Sequence, residues 1–269
     1  MALPTRLQLK LGMKLLEVPS RPRSLLSEQI GQDGVAVLPG ILEPNLCAAL
    51  IRTIDRLRAK PGPHFRTLSP PGEPVTQSDL FRWLEDETLA GVATQGILPE
   101  LAASVFGTHS VLLLEDQFFY SEAGSQTLSP WHQDHPYHPL EPWFLTFWIP
   151  LDRVLEGQGL RAVVGSHHGP LYAPVEFSAA EATLAEGGHI LAPVPDIDGA
   201  MQGKRLDPKF RILAPSFQPG DVMILDSRTL HAGGQACPHP FRRISIRYAH
   251  PETSVVERAW PVAAFWQEQ

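Results

Sequence analysis

VLLLEDQFFY, residues 111–120, is where this chain changes texture. The segment is short, apolar and aromatic, and it reads as a β-strand rather than a helix. Later segments share its character: WFLTFWIPL (143–151), LRAVVGS (160–166), DVMILD (221–226) and RRISIRYA (242–249), bounded by Gly, Pro and Asp. Parallel pairing would require a crossover helix between successive strands, and most of these gaps are too short for one. The exception is 175–210, a Pro-, Gly- and Asp-bearing insertion that reads as a lid or active-site loop. The pattern predicts a mainly β fold, an antiparallel sandwich or jelly roll, which commonly holds a ligand between its two sheets.

Upstream of residue 110 helices dominate. GQDGVAVLPGILEPNLCAALIRTIDRLRAK (31–60) reads as a short strand at Val35, Val37 and Leu38, a turn, and a helix. Pro44 suits the first helical turn, and Leu46, Leu50, Ile54 and Leu57 recur at helical spacing. PGPHFRTLSPPGEP (61–74) breaks that helix and reads as loop. A second helical region is expected over 79–106, around Phe81, Trp83, Leu84, Leu98, Leu101 and Val105. The expected organisation is one domain over 1–269: a helical part to about residue 108, a core over about 109–250, and the insertion at about 175–210.

Composition narrows the function. With 269 residues, 43% hydrophobic and 19% charged, the chain is long enough for a large buried core. A net charge of −7 argues against a nucleic-acid partner, because phosphate binding needs a surplus of Lys and Arg on one face. Two cysteines, Cys47 and Cys237, exclude a disulfide framework and point to a reducing cytoplasmic setting. No apolar run reaches the roughly eighteen residues a membrane span needs, so no membrane partner is expected. MALPTRLQLKLGMKLLEV at the start is broken by Gln8, Lys10 and Lys14, and reads as an amphipathic segment rather than a secretory signal.

SPWHQDHPYHP (129–139) carries three histidines and an aspartate. Alternate residues of an extended segment project the same way, so His132 and Asp134 are placed to share one ion. A third ligand is expected from His231 in PGDVMILDSRTLHAGG, where an apolar strand ends in a polar loop carrying the histidine. Two histidines and one carboxylate form the donor set of non-haem Fe(II) oxygenases, with three coordination positions left open. A structural zinc site would instead take a fourth ligand or thiolates, and Cys237 with His239 is the nearest thiolate pairing.

In FRRISIRYA, Arg243, Ser245 and Arg247 share one face, and Arg242, Ile244, Ile246 and Tyr248 share the other. Arg242 is therefore expected on the apolar, inward face, where an unpaired guanidinium is costly and needs an anion. That anion is either an internal Asp or Glu or, beside an Fe(II) triad, a dicarboxylic co-substrate held bidentately.

With these residues in view, the sequence resembles the phytanoyl-CoA dioxygenase family of Fe(II)/2-oxoglutarate-dependent oxygenases. DGVAVLPGILEPNLCAAL resembles the family's opening strand and helix, and WHQDHPY (131–137) its metal motif. FWIPLDRVLEGQGLRAVVGSH (147–167) resembles the strand and Gly-Ser-His turn that follow, and GDVMILDSRTLHAGGQACPHPFR (220–242) the distal histidine with an arginine eleven positions on. The resemblance implies a double-stranded β-helix, with iron held by His132, Asp134 and His231. It implies 2-oxoglutarate gripped at its far carboxylate by Arg242, in a pocket lined by Gln133, Trp148 and Gln117. A hydroxyl residue is common in the family two places after the distal histidine, where this chain has Gly233.

His135 and His138 are not expected to be ligands, since a fourth histidine would block positions that oxygen and co-substrate need. With Tyr137 they are expected at the pocket mouth, and His167 and His168 are expected to make structural hydrogen bonds. The implied activity is hydroxylation, or another oxidation, of an unactivated C–H bond in a small organic substrate, with O2 consumed and succinate and CO2 released. The alternatives are a non-catalytic metal- or ligand-binding β-sandwich and a metal-dependent cupin-type enzyme that does not use 2-oxoglutarate.

Overall fold

In the computed structural model, which describes residues 13–19, 25–176, 190–201, 210–263 and 266, the paired strands run antiparallel. In chain order they are β1 (Lys14–Glu17), β2 (Val35–Leu38), β3 (Arg66–Thr67), β4 (Thr76–Leu80), β5 (Ser110–Ser121), β6 (Leu140–Glu141) and β7 (Phe144–Pro150). Then come β8 (Arg161–Val164), β9 (Arg211–Leu213), β10 (Val222–Asp226), β11 (His231–Ala232), β12 (Phe241–Ala249) and β13 (Ser254–Val255). The helices are α1 (Leu25–Asp33), α2 (Pro44–Arg58), α3 (Glu87–Thr94), α4 (Ile97–Phe106) and α5 (Ile197–Met201).

Eight strands form one sheet in the order β2-β10-β7-β12-β5-β4-β3, with β1 also paired to β5. A smaller sheet, β11-β8-β9, packs over part of it: Ala162 of β8 shares a buried cluster with Trp148, Met223 and Leu225 of the large sheet. Two facing antiparallel sheets of this kind make a double-stranded β-helix, or jelly roll.

The two faces of the large sheet differ in character. One is covered by helices: Leu50, Ile54 and Leu57 of α2, Leu89 and Val92 of α3, and Leu98 and Ala102 of α4 pack with Phe118, Phe147, Ile224, Ile244, Ile246 and Tyr248. Each large side chain buried there contributes roughly 1.5–3 kcal/mol. The apolar stretch Glu87–Phe106 breaks at Gly96 into α3 and α4, both with apolar faces buried in this layer. The opposite face, between the sheets, is mixed: Arg243, Ser245 and Arg247 of β12 and Thr146 of β7 line a cavity, while Trp148, Met223 and Leu225 pack against the smaller sheet.

The expected strands all form close to their sequence positions. The stretch before residue 110 holds more strand than expected, since β1 to β4 all join the large sheet. β4 escapes a hydrophobic pattern because Thr76 and Ser78 are buried polar residues that face the inter-sheet space. Most of the 175–210 insertion lies outside the described residues, as do residues 1–12.

β10 is set in place by the turn before it. Asp221 accepts hydrogen bonds from Gln218 N (2.8 Å) and Gly40 N (2.8 Å), and Leu42 N donates to Gly220 O (3.0 Å). Gly220 has φ +93°, and a Cβ there would lie 2.4 Å from Leu42 O. Gly220→Ala should therefore cost roughly 3 kcal/mol, from a left-handed backbone plus a clash with main chain. Thermal unfolding reads this directly, and an unchanged Tm would contradict the geometry.

Candidate active site

His132 and His231 sit opposite each other in an isolated antiparallel bridge, exchanging both backbone hydrogen bonds at 2.9 Å. Each ring is oriented by a carbonyl: His132 Nδ1 donates to Pro130 O (2.8 Å) and His231 Nδ1 to Thr229 O (2.9 Å). A carbonyl only accepts, so in the neutral ring the proton sits on Nδ1 and the Nε2 lone pair is free. Both Nε2 atoms face Asp134 Oδ1, at 3.5 Å and 3.6 Å. These three buried ligand atoms lie within 4.8 Å of one another, and among the described residues no other such group of His, Cys, Asp or Glu forms.

Burial pushes His231 down to about 4, so its ring is neutral at neutral pH. Burial alone would raise the Asp134 carboxyl, but Arg247 and the two histidines hold it well below the ordinary carboxylate range. Two imidazoles and one carboxylate on one side of a point, with no thiolate, suit Fe(II) better than a closed zinc site. Cys237 is a free buried thiol, and His239, half-buried, turns its Nδ1 to Pro240 O.

Three strands make the floor beside the triad. Register places Glu115, Arg247 and Thr146 in one row across β5, β12 and β7. Gln117, Ser245 and Trp148 form the next row, and Phe119, Arg243 and Pro150 the third. A bulge at Leu114, where Arg247 pairs Glu115 but Tyr248 pairs Leu113, switches the parity of β5. Leu113 consequently faces the helices while Glu115, two residues on, faces the cavity. The same cavity takes in all three triad residues.

Two cavity arginines differ in their partners. Arg247 donates through Nε to Asp134 Oδ2 (3.2 Å) and through Nη1 to Glu115 Oε1 (2.8 Å). Arg243 donates to Ser121 Oγ (3.0 Å), packs against the rings of Phe119 and Phe241, and has no carboxylate partner among the described residues. Arg243 lines the cavity and so keeps some solvent contact, yet burial pulls its pKa down to about 10. A recessed guanidinium of this kind is a ready seat for an anion.

The sequence profile of the phytanoyl-CoA dioxygenase (PhyH) family matches residues 30–244. The chain belongs to the phytanoyl-CoA dioxygenase family. It is accordingly a 2-oxoglutarate-dependent oxygenase, with iron and 2-oxoglutarate as its cofactors. No curated protein matches the chain. Solved structures similar to it include the epimerase SnoN in complex with Fe3+, alpha ketoglutarate and nogalamycin RO: TM-score 0.69, 19% identity, 87% of this chain and 85% of that one. EctD from S. alaskensis in its apoform gives 0.69 and 18% over 94% and 90%. EvdO2 from Micromonospora carbonacea var. aurantiaca complexed with 2-oxoglutarate gives 0.59 and 20% over 91% and 99%. These likenesses agree on the fold.

In this PhyH-family chain, two residues expected in the co-substrate pocket stand elsewhere. Arg242 lies on the helix-covered side, forked onto Asp55 of α2 (2.8 and 3.1 Å) and reaching Asp152 (3.3 Å). The hydrogen bond to Asp55 chiefly raises its pKa, the reverse of Arg243. The internal-carboxylate alternative is thus the one observed. The alternation along β12 holds, but the apolar face of this strand is the helix-packed core, and the cavity lies on the other side.

Gln133 points away from its neighbours His132 and Asp134, as alternation demands. Its amide donates to Arg228 O (2.6 Å) and Pro170 O (3.2 Å) and accepts from Tyr172 N (2.9 Å), stapling a loop rather than lining the cavity. Trp148 and Gln117 do line it. Missed by the sequence reading were Arg243, Arg247, Glu115 and Thr146. The acid inside the apolar run VLLLEDQFFY was the available signal for Glu115.

A Cβ at position 233 would lie 3.0 Å from Ser129 N, so the chain runs close where family members place a hydroxyl side chain. His167 takes its structural role through Gly31 O (3.1 Å). His135 lies under Ser227 and Arg258, outside the cavity, and burial lowers it to about 4. His138 and Tyr137 line the cavity. His138 turns Nδ1 to Asp134 O (3.0 Å) and Nε2 toward Glu115 (3.4 Å), with neither nitrogen on the triad's centre. His135→Ala and His138→Ala should both retain one iron per chain by metal analysis. Loss as complete as in His132→Ala would mean that the wrong histidines have been assigned.

Proposed function

We propose that this oxygenase hydroxylates, or otherwise oxidises, an unactivated C–H bond of a small organic molecule, coupled to conversion of 2-oxoglutarate and O2 into succinate and CO2. In this reading His132, Asp134 and His231 hold the iron, and Arg243 grips the far carboxylate of 2-oxoglutarate. Bound together, iron and 2-oxoglutarate supply the oxidising chemistry. The protein supplies geometry and a sheltered cavity.

The observation that carries the reading is Arg243: a cavity-lining guanidinium with no carboxylate partner among the described residues, two rows along the sheet from the row that contacts Asp134. About two pleats of β12 separate Arg243 from Arg247, or roughly 13 Å of strand, with both side chains leaning into the same cavity. Gln117, Ser245 and Trp148 fill the row between and are placed to flank a short dicarboxylate. Trp148 is locked by edge contacts to Phe217 and Phe241, at 5.0 and 6.1 Å, giving the pocket a rigid wall.

The cavity is also lined by Leu80, Tyr137, His138 and Val262. These residues are placed to hold the substrate and exclude water. Asp134 occupies the coordination position that a halide would need, which favours hydroxylation over halogenation. SnoN is an epimerase and SnoK a carbocyclase, so this fold supports outcomes other than hydroxylation, set by which C–H bond is held near the metal.

The test is a screen of candidate small molecules for succinate formed in proportion to oxidised product, with the Fe(II)-loaded enzyme in air. The reading expects a product gaining one oxygen, or losing two hydrogens, per succinate. Oxidised product formed without 2-oxoglutarate would overturn it.

A further inference from the structure

The carboxylate of Asp134 has two oxygens, and only Oδ1 faces His132 Nε2 and His231 Nε2. Its partner Oδ2 is taken twice, by Thr146 Oγ1 at 2.6 Å and Arg247 Nε at 3.2 Å. Arg247 is in turn fixed by Glu115 (2.8 Å), which approaches His138 Nε2, and His138 Nδ1 returns to the backbone carbonyl of Asp134. The contacts close a ring: Asp134 carboxylate, Arg247, Glu115, His138, Asp134 main chain. All four residues are buried.

This arrangement has two chemical consequences. A carboxylate with a free second oxygen can swing to bind a metal through both, using a position that co-substrate, substrate or O2 needs. With Oδ2 held by two donors, that swing is blocked. A guanidinium on Oδ2 also draws electron density from the carboxylate, making Asp134 a weaker donor and the metal less electron-rich. Glu115 offsets the added positive charge, so Asp134, Arg247 and Glu115 together carry the same single negative charge as Asp134 alone.

We infer that Arg247 is a positioning residue for the metal ligand Asp134: it confines the carboxylate to coordination through one oxygen and lowers its donor strength, with Glu115 as its counter-charge. The inference rests on the iron and 2-oxoglutarate assignment above. It is read from the metal-to-ligand absorption band of the anaerobic Fe(II)–2-oxoglutarate enzyme, whose energy falls as the iron becomes more electron-rich.

Arg247→Gln, neutral but still able to donate a hydrogen bond, should move the band to longer wavelength and lower coupled turnover about tenfold. Arg247→Lys, which keeps the charge, should return the band toward its native position. Arg242→Gln, on the opposite face of the same strand, should leave it in place. Should Arg247→Gln fail to fold, Thr146→Val removes the other donor to Oδ2 and should shift the band in the same direction. A native band in a folded Arg247→Gln or Thr146→Val enzyme loaded with iron and 2-oxoglutarate overturns the inference. Absence of the band from the unaltered protein would instead overturn the assignment on which it rests.

Discussion

Arg243→Ala should weaken 2-oxoglutarate binding about thirtyfold or more, whereas Arg242→Ala should leave that affinity near its native value and lower the Tm. The two residues are neighbours in sequence, of the same type, on one strand, and only the face differs. Arg243 lines the cavity without a carboxylate partner among the described residues, and burial has already lowered its pKa to about 10. Removing a charge-assisted contact to a buried anion costs roughly 2–5 kcal/mol.

Arg242 already has its carboxylates. It forks onto Asp55 of α2 and touches Asp152, in a partly exposed setting where an ion pair contributes roughly 1 kcal/mol. Its loss should lower the Tm by about 2–4 °C in a protein of this size. Titration of 2-oxoglutarate into the two anaerobic Fe(II)-loaded variants, with a thermal melt of each, separates the roles. Loss of binding in Arg242→Ala with native binding in Arg243→Ala would reverse the faces of β12.

Substitution within the triad has the other large effect. His132→Ala, Asp134→Ala and His231→Ala should each lower iron occupancy sharply and reduce turnover by about a hundredfold or more. The three ligand atoms come from two chain segments that pair through His132 and His231 main chain, so the Ala variants keep the backbone bridge and lose only the donor. Asp134→Ala carries a second cost, because Arg247 and Thr146 lose their shared acceptor. Metal analysis beside succinate formation reads both effects. Native iron content and turnover in any one of the three would remove that residue from the site.

The sequence made the triad legible because its information is local. His132 and Asp134 are two apart on an extended segment, and His231 ends an apolar strand. β5, β7, β8, β10 and β12 were legible for the same reason, being apolar and bounded by turn residues, whereas the two- and three-residue strands β6, β9, β11 and β13 were too short to leave a pattern. The parity of β12 was also correct, with Arg243, Ser245 and Arg247 on one side.

What local pattern does not carry is which side of a doubly covered sheet is the cavity. Apolar alternation marked Ile244 and Ile246 as inward, and they are, but toward the helices. The cavity face of β12 is polar, with Arg243, Ser245 and Arg247 lining it, so here the polar side of a central strand marks the cavity. Glu115 was hidden by a different cause. The bulge at Leu114 reverses the alternation of β5 midway, and no single-strand pattern reports a residue that its partner skips. β4 was lost to its own chemistry, since its buried Thr76 and Ser78 carry no apolar alternation to mark a strand, and its end at Asp79 and Leu80 fell in the stretch expected to be helical.

The proposed chemistry needs one arrangement, a metal at the triad and a dicarboxylate reaching from it to Arg243. Diffraction at the iron absorption edge from crystals soaked anaerobically with Fe(II) and 2-oxoglutarate tests it most directly. The account predicts a single anomalous peak bonded to His132 Nε2, His231 Nε2 and Asp134 Oδ1. It also predicts 2-oxoglutarate chelating that metal at one end and paired with the Arg243 guanidinium at the other. A metal bound elsewhere, or a far carboxylate seated away from Arg243, would contradict it.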